Sequence, residues 1–90
     1  MKKGFFGRFR SDDGYIVRGF ARNAILISKD GVRYFIFVEH LVSTPEAVAI
    51  DRSHVWLDSA LSRPLSDPDL ADRLFEIAED YFRMRKIVPV

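Results

Sequence analysis

The fold is decided by the stretch Ala24-Ile-Leu-Ile-Ser-Lys-Asp-Gly-Val-Arg-Tyr-Phe-Ile-Phe-Val38, in which two apolar runs flank Asp30-Gly31. Glycine adopts positive φ angles without a steric penalty and aspartate tolerates them, so this dipeptide favours a two-residue hairpin turn. The flanking residues are mainly β-branched or aromatic, as strands prefer. We therefore predict antiparallel strands at Ala24–Ser28 and Val32–Glu39. The second strand is apolar on both faces, which predicts a central position in the sheet.

Further strands are predicted on either side of this hairpin, because short apolar segments there are separated by turn-forming residues. The predicted strands are Tyr15–Phe20, Ala47–Asp51 and His54–Leu57, and Leu61–Leu65 is predicted to be a loop. Residues 1–13 combine glycine and aspartate with basic and aromatic residues, which predicts a flexible or loosely docked basic-aromatic arm. No abrupt change in composition divides the 90 residues, so residues 1–90 are expected to form a single domain.

The last third of the chain has the pattern of an amphipathic helix, which we predict from Asp67 to Arg85. Ser66 or Asp67 can accept hydrogen bonds from the first free N–H groups, and Pro68 suits the first turn. Apolar residues recur at helical spacing, at Leu70, Leu74, Ile77, Tyr81 and Met84.

These elements predict an α+β fold, an antiparallel sheet of four to five strands with the C-terminal amphipathic helix packed on one face. Because the central strand is apolar on both faces, something must also cover the second face of the sheet. The arm with Phe5, Phe6 and Phe9 is one candidate, and a homodimer is the other.

The composition argues against catalysis and against metal or cofactor binding. The chain has no cysteine, which excludes disulfides, zinc–thiolate sites and thiol catalysis. Its two histidines, His40 and His54, lie on separate predicted elements, and neither a serine elbow nor a phosphate-binding glycine loop is present. We expect no enzyme activity, no metal and no cofactor. No segment has the length of a membrane span or the pattern of a secretory signal, so a cytoplasmic location without a membrane partner is expected.

The charges are distributed unevenly along the chain. Residues 1–37 carry eight basic against three acidic side chains, and residues 38–90 carry six basic against ten acidic. The segment Lys3-Gly-Phe-Phe-Gly-Arg-Phe9 begins like an RNA-recognition strand signature, but Phe6 and Arg8 replace a small and an aliphatic residue. A nucleic-acid partner is therefore disfavoured. The alternative function is a small RNA-binding module that uses the basic-aromatic N-terminal half.

The predicted helix carries an acidic face opposite its apolar stripe. Asp72, Glu76 and Asp80 follow one another at i, i+4 spacing, where like charges repel. Such a ladder is either a solvated face or a docking surface for a basic partner. Trp56, beside Asp58, is either a core residue or an interface anchor. The candidate binding residues are therefore Trp56, Asp58, Asp69, Asp72, Glu76, Glu79 and Asp80. A rival basic surface would consist of Arg18, Arg22 and Arg33, which would suit an acidic partner.

From Ile25 to Phe82 the order of motifs resembles a family of bacterial polymorphic-toxin immunity proteins, which includes immunity partners of contact-dependent growth-inhibition toxins. The resemblance rests on the hairpin, on Glu39-His-Leu41, Ala49-Ile-Asp-Arg-Ser-His-Val-Trp56 and Pro64-Leu-Ser-Asp67, and on the C-terminal helix. It implies a protein that binds the C-terminal domain of one cognate toxin in the cytoplasm and blocks its active site or substrate path. A nuclease is the expected toxin class, although the net charge of +1 is less acidic than is common among nuclease inhibitors.

Overall fold

Seven strands and one helix follow one another along the chain in the computed structural model, which describes residues 2–3 and 8–90. The strands form one sheet whose spatial order equals their order in the chain, and all neighbours are antiparallel except the last pair. The elements are β1 (Lys2–Lys3), β2 (Phe9–Arg10), β3 (Ile16–Ala21), β4 (Ala24–Lys29), β5 (Val32–Leu41), β6 (Ala47–Ile50), α1 (Pro68–Met84) and β7 (Val88–Pro89).

The hairpin between β4 and β5 forms as its turn dipeptide predicts. Asp30 and Gly31 have φ angles of 52° and 80°, and the residues on either side of them, Lys29 and Val32, pair directly. Positive φ at both central positions gives the turn the twist that a two-residue hairpin needs. The hairpin places β5 at the centre, where it pairs with β4 along one edge and with β6 along part of the other.

The helix α1 closes one face of the sheet and makes the core. Its bounds agree with the prediction, since Asp67 and Arg85 are the two cap residues. The Asp67 side chain accepts a hydrogen bond from the Leu70 N–H at 3.1 Å, and Pro68 follows in the first turn. The buried face of α1 packs against strand residues that point to the same side of the sheet. The largest fully buried members of this core include Val17, Ile27, Ile36, Val48, Leu74, Ile77, Tyr81 and Phe82.

Three predictions about the sheet need correction. The sheet has seven strands rather than four or five, since β1, β2 and β7 are two-residue strands with too little pattern to predict. Residues 8–13 are not a loosely docked arm, because β2 pairs with β3 and Phe9 is 5% exposed. Phe9 also points to the helix side, so it does not cover the second face. Phe5 and Phe6 lie outside the described residues.

The predicted strand His54–Leu57 is also wrong, because only Trp56 joins the ladder. It exchanges two backbone hydrogen bonds of 2.8 Å with Phe35 and forms an isolated bridge with Pro64. The chain bends away from the sheet after β6, where the Asp51 carboxylate accepts the Ser53 N–H at 3.0 Å. Such a local side-chain bond to the backbone competes with strand pairing, which explains the interruption.

Candidate functional site

The sheet face opposite α1, called here the open face, carries the odd-numbered side chains of β5. On the helix side, Ile36 and Val38 belong to the core, whereas Arg33, Phe35 and Phe37 point the other way. Among the described elements, the main contacts of α1 are with β3, β6 and β7, on the side of the sheet that carries the core. On the open face, Leu26 and Phe35 are nevertheless buried, at 3% and 1% exposed. A sheet face with several large apolar side chains normally packs against another layer, so this face is the first candidate surface.

Two cross-strand rows place basic residues around aromatic and aliphatic ones on the open face. Directly paired residues in a sheet share a face. One row joins Arg10, Ile16, Ser28 and Arg33, and the next joins Arg18, Leu26, Phe35 and Trp56. Neither row contains a carboxylate among these members. We call the more exposed residues of this region the basic-aromatic sector: Arg10, Ile16, Arg18, Phe20, Arg33 and Trp56.

The rings of the basic-aromatic sector pack around one buried side chain. Phe35 is 1% exposed, and the Phe20 ring meets its ring edge-on at a centroid distance of 5.0 Å. The Arg33 guanidinium lies 5.6 Å from the centroid of the Phe35 ring, and the His54 ring lies 4.8 Å from that of Trp56. Phe20 itself is 42% exposed and Trp56 is half-buried. The centre of the sector is therefore rigidly packed, while its outer rings face solvent.

The exposed apolar side chains concentrate on this same face. Of the eight large hydrophobic residues that are exposed in the described part of the chain, five point to the open face by register: Ile16, Phe20, Leu41, Val88 and Val90. The acidic side chains on this face, Glu39 and Asp51, lie on the half that carries Phe37 and Ala49, away from the basic-aromatic sector. Exposed apolar side chains that gather on one face mark a candidate interaction surface.

The acidic face of α1 differs from its prediction, since arginines compensate most of it. Arg73 binds Glu76 at 2.9 Å and Arg83 binds Asp80 at 3.3 Å, so two members of the expected repulsive ladder are paired. Glu79 is paired twice, with Arg52 at 2.6 Å and with Arg83 at 3.2 Å. Asp69 and Asp72 have no ion pair among the side chains of residues 8–90. The idea of an uncompensated acidic ladder is therefore wrong for Glu76 and Asp80.

Asp58 has a structural role in the turn that follows Trp56. Its carboxylate accepts the N–H groups of Ser62 and Arg63, both at 2.9 Å, together with the Ser62 hydroxyl. These hydrogen bonds to the charged form lower the pKa of Asp58 to about 2. The Asp58 carboxylate therefore accepts hydrogen bonds that hold its own turn together.

The seven candidate residues do not form one surface. Trp56 belongs to the open face, and Asp58 lies in the turn beyond it. The five helix acids lie on α1, which covers the opposite side of the sheet. Sequence reasoning missed the exposed Phe20 and its neighbour Ile16, although strand alternation from Arg18 would have placed both on the face of that arginine.

The two histidines of the chain lie in different surroundings, and only His54 has a serine and a carboxylate close by. Ser53 donates its hydroxyl hydrogen bond to Asp51 and lies 3.2 Å from His54 Nδ1, so the serine stands between the acid and the histidine. A nucleophilic triad needs the histidine in the middle. A shallow cleft of about 350 Å³ places His54 near Asp72 and Phe75. His40 lies on the helix side, 6.4 Å from Phe82 between ring centroids, so the two histidines do not meet.

Residues 2–3 and 8–90 bring together no group of three or more histidine, cysteine or acidic side chains that could hold a metal ion. Within the same ranges, no helix has the length and hydropathy that crossing a membrane requires. Comparison of the chain with protein-family models, with curated proteins and with solved structures finds no match.

Proposed function

We propose that this chain is a non-catalytic binding protein that neutralises the C-terminal domain of one cognate bacterial toxin in the cytoplasm. The observation that carries the proposal is the open face, which exposes five large apolar side chains, two of them in the half that also carries three arginines. Such a composition suits a protein interface, where aromatic and arginine side chains contribute most of the binding energy. The toxin as partner comes from the resemblance in the order of the hairpin, Trp56, Pro64 and the helix.

The class of toxin is left open in this proposal. The resemblance favours a nuclease, and an inhibitor of a nuclease can place carboxylates where nucleic-acid phosphates bind in its basic cleft. On the acidic face of α1, Arg73 and Arg83 pair with Glu76, Glu79 and Asp80, so the electrostatic reason for a nuclease is weaker than the sequence pattern indicated. A toxin of another class, or a nuclease bound outside its cleft, fits the arrangement equally.

Co-expression tests the proposal directly. The toxin domain encoded by the neighbouring gene is induced in a bacterial host together with this chain, with an empty vector as the control. We expect the chain to restore growth and to co-elute with the purified toxin domain. Loss of rescue by a variant with an altered open face, at unchanged expression, would link the effect to binding. Growth arrest in the presence of well-expressed, folded wild-type chain refutes the proposal.

A second candidate function uses the same face to bind single-stranded RNA. Two rings, Phe20 and Trp56, lie near the arginines of the basic-aromatic sector. This arrangement favours RNA, because bases stack on exposed rings and phosphates pair with arginine. A fluorescent 16-nucleotide oligouridine is the probe. Binding whose affinity falls steeply with salt, and is lost on Trp56→Ala, would favour RNA over the toxin.

A further inference from the structure

We propose that the toxin docks on the basic-aromatic sector, through a surface that has an apolar centre and an acidic rim. This inference rests on the proposed function and adds the side of the sheet and the chemistry of the partner. It also moves the docking site away from the acidic face of α1, where the sequence pattern had suggested it.

The two candidate surfaces, the acidic face of α1 and the basic-aromatic sector, differ in the charge that they leave uncompensated. On the acidic face of α1, Glu76, Glu79 and Asp80 are paired with arginines, and Asp69 and Asp72 are the two acids without an ion pair among the side chains of residues 8–90. Arg10, Arg18 and Arg33 have no ion pair within the described ranges, and the rows that hold them contain no carboxylate among their described members. A partner that buries these guanidinium groups must supply carboxylates or other acceptors, because an unpaired buried charge is strongly unfavourable.

Exposed apolar side chains lie between the arginines of the sector. Ile16 and Phe20 are 37% and 42% exposed, and Phe20 rests on the buried Phe35, so its position is held by packing rather than by the partner. A preorganised aromatic side chain that projects from a packed base is typical of an interface anchor. Further exposed apolar side chains, Leu41 and Val88, lie on the other half of the same face, where Glu39 and Asp51 would repel phosphates and aliphatic groups give bases no ring to stack on. This favours a protein over a nucleic acid.

A second copy that docks about a two-fold axis through the sector fits less well than an acidic partner. Two copies joined by a two-fold axis through the sector would bring Arg10, Arg18 and Arg33 against the same residues of the partner copy. Like charges placed opposite one another at an interface cost binding free energy. The acidic side chains of the open face, Glu39 and Asp51, lie on the other half of the sheet and would not meet these arginines in that arrangement.

The test measures binding kinetics of full-length variants with the toxin domain used in the rescue experiment. Arg33→Glu reverses an exposed charge in the sector, and Lys86→Glu makes the same change at an exposed position after α1. We expect Arg33→Glu to slow association about tenfold at low salt and to flatten its salt dependence, because a steering charge is reversed. Lys86→Glu should leave the association rate unchanged. Phe20→Ala should accelerate dissociation about thirtyfold, as loss of an anchor does.

The acidic face provides the opposing test. A triple variant, Asp72→Asn, Glu76→Gln and Asp80→Asn, keeps the shape of the side chains and removes their charge. We expect its association rate to equal that of the wild type. If this variant loses affinity while Arg33→Glu and Phe20→Ala bind normally, the inference is overturned and the proposed function stands. A folded wild-type chain that does not bind the toxin domain overturns both. Tight oligouridine binding that competes with the toxin, or a stable dimer abolished by Phe20→Ala, also overturns the assignment of the partner.

Discussion

Replacing Phe9 by alanine tests whether the N-terminal strand β2 belongs to the core. Phe9 is 5% exposed, and its ring meets that of Tyr81 edge-on at a centroid distance of 5.0 Å and an interplanar angle of 89°. Truncating a buried phenylalanine costs about 3–5 kcal/mol, and the lower end applies where neighbours can move into the space. A strand of two residues near the chain terminus allows such movement, so we expect the free energy of unfolding to fall by about 3 kcal/mol.

Urea denaturation followed by circular dichroism measures this loss. With a slope of about 1 kcal/mol per M for a small domain, the midpoint should fall by about 3 M at an unchanged slope. Phe20→Ala is the matched control, because Phe20 is 42% exposed on the open face. We expect it to cost about 1 kcal/mol, as partial exposure leaves less surface to lose. If Phe9→Ala costs no more than Phe20→Ala, β2 is not part of the core and the reasoning fails.

Two further predictions concern a long-range ion pair and the hairpin turn. Arg73 binds Asp13 with two hydrogen bonds of 2.9 and 2.7 Å and holds the pKa of that carboxyl well below its usual range. Because both side chains are partly exposed, Asp13→Asn should destabilise the fold by about 0.5–1 kcal/mol at pH 7. Because the pKa of Asp13 is lower in the folded state, the ion pair stabilises the fold fully above the unfolded pKa of about 3.9. Below that pH the stabilisation is progressively lost, so the urea midpoints of variant and wild type should converge in acid. A difference that stays constant down to pH 2 would contradict the ion pair. Gly31→Ala should cost about 1 kcal/mol because φ is 80° there, with no heavy atom within 4 Å of an added Cβ. Gly19→Ala is the control, because an added Cβ there meets only the Tyr81 hydroxyl at 3.9 Å, and its free energy of unfolding should be nearly that of the wild type. Equal shifts of the urea midpoint in the two glycine variants would show that the positive φ of Gly31 is not the cause of the loss.

The sequence by itself determined the features that depend on neighbouring residues. The positive φ angles of Asp30 and Gly31 set the hairpin turn, and the Asp67 side chain with Pro68 sets the beginning of α1. In both cases the deciding contacts lie within about one turn of chain, so residue type and spacing are sufficient to predict them. The apolar spacing after Leu70 likewise predicted which side of α1 is buried.

Only the tertiary structure decided the features that join distant parts of the chain. Phe9 enters the core because β2 pairs with β3 and meets Tyr81, and Asp13 finds Arg73 across 60 positions of sequence. The candidate site also joins distant parts of the chain, because Trp56 pairs with Phe35 and therefore shares the sheet face opposite α1. Alternation groups residues that share a face within a strand, but it does not say which face the helix covers. That choice depends on the sum of contacts between α1 and several strands, which no local pattern contains.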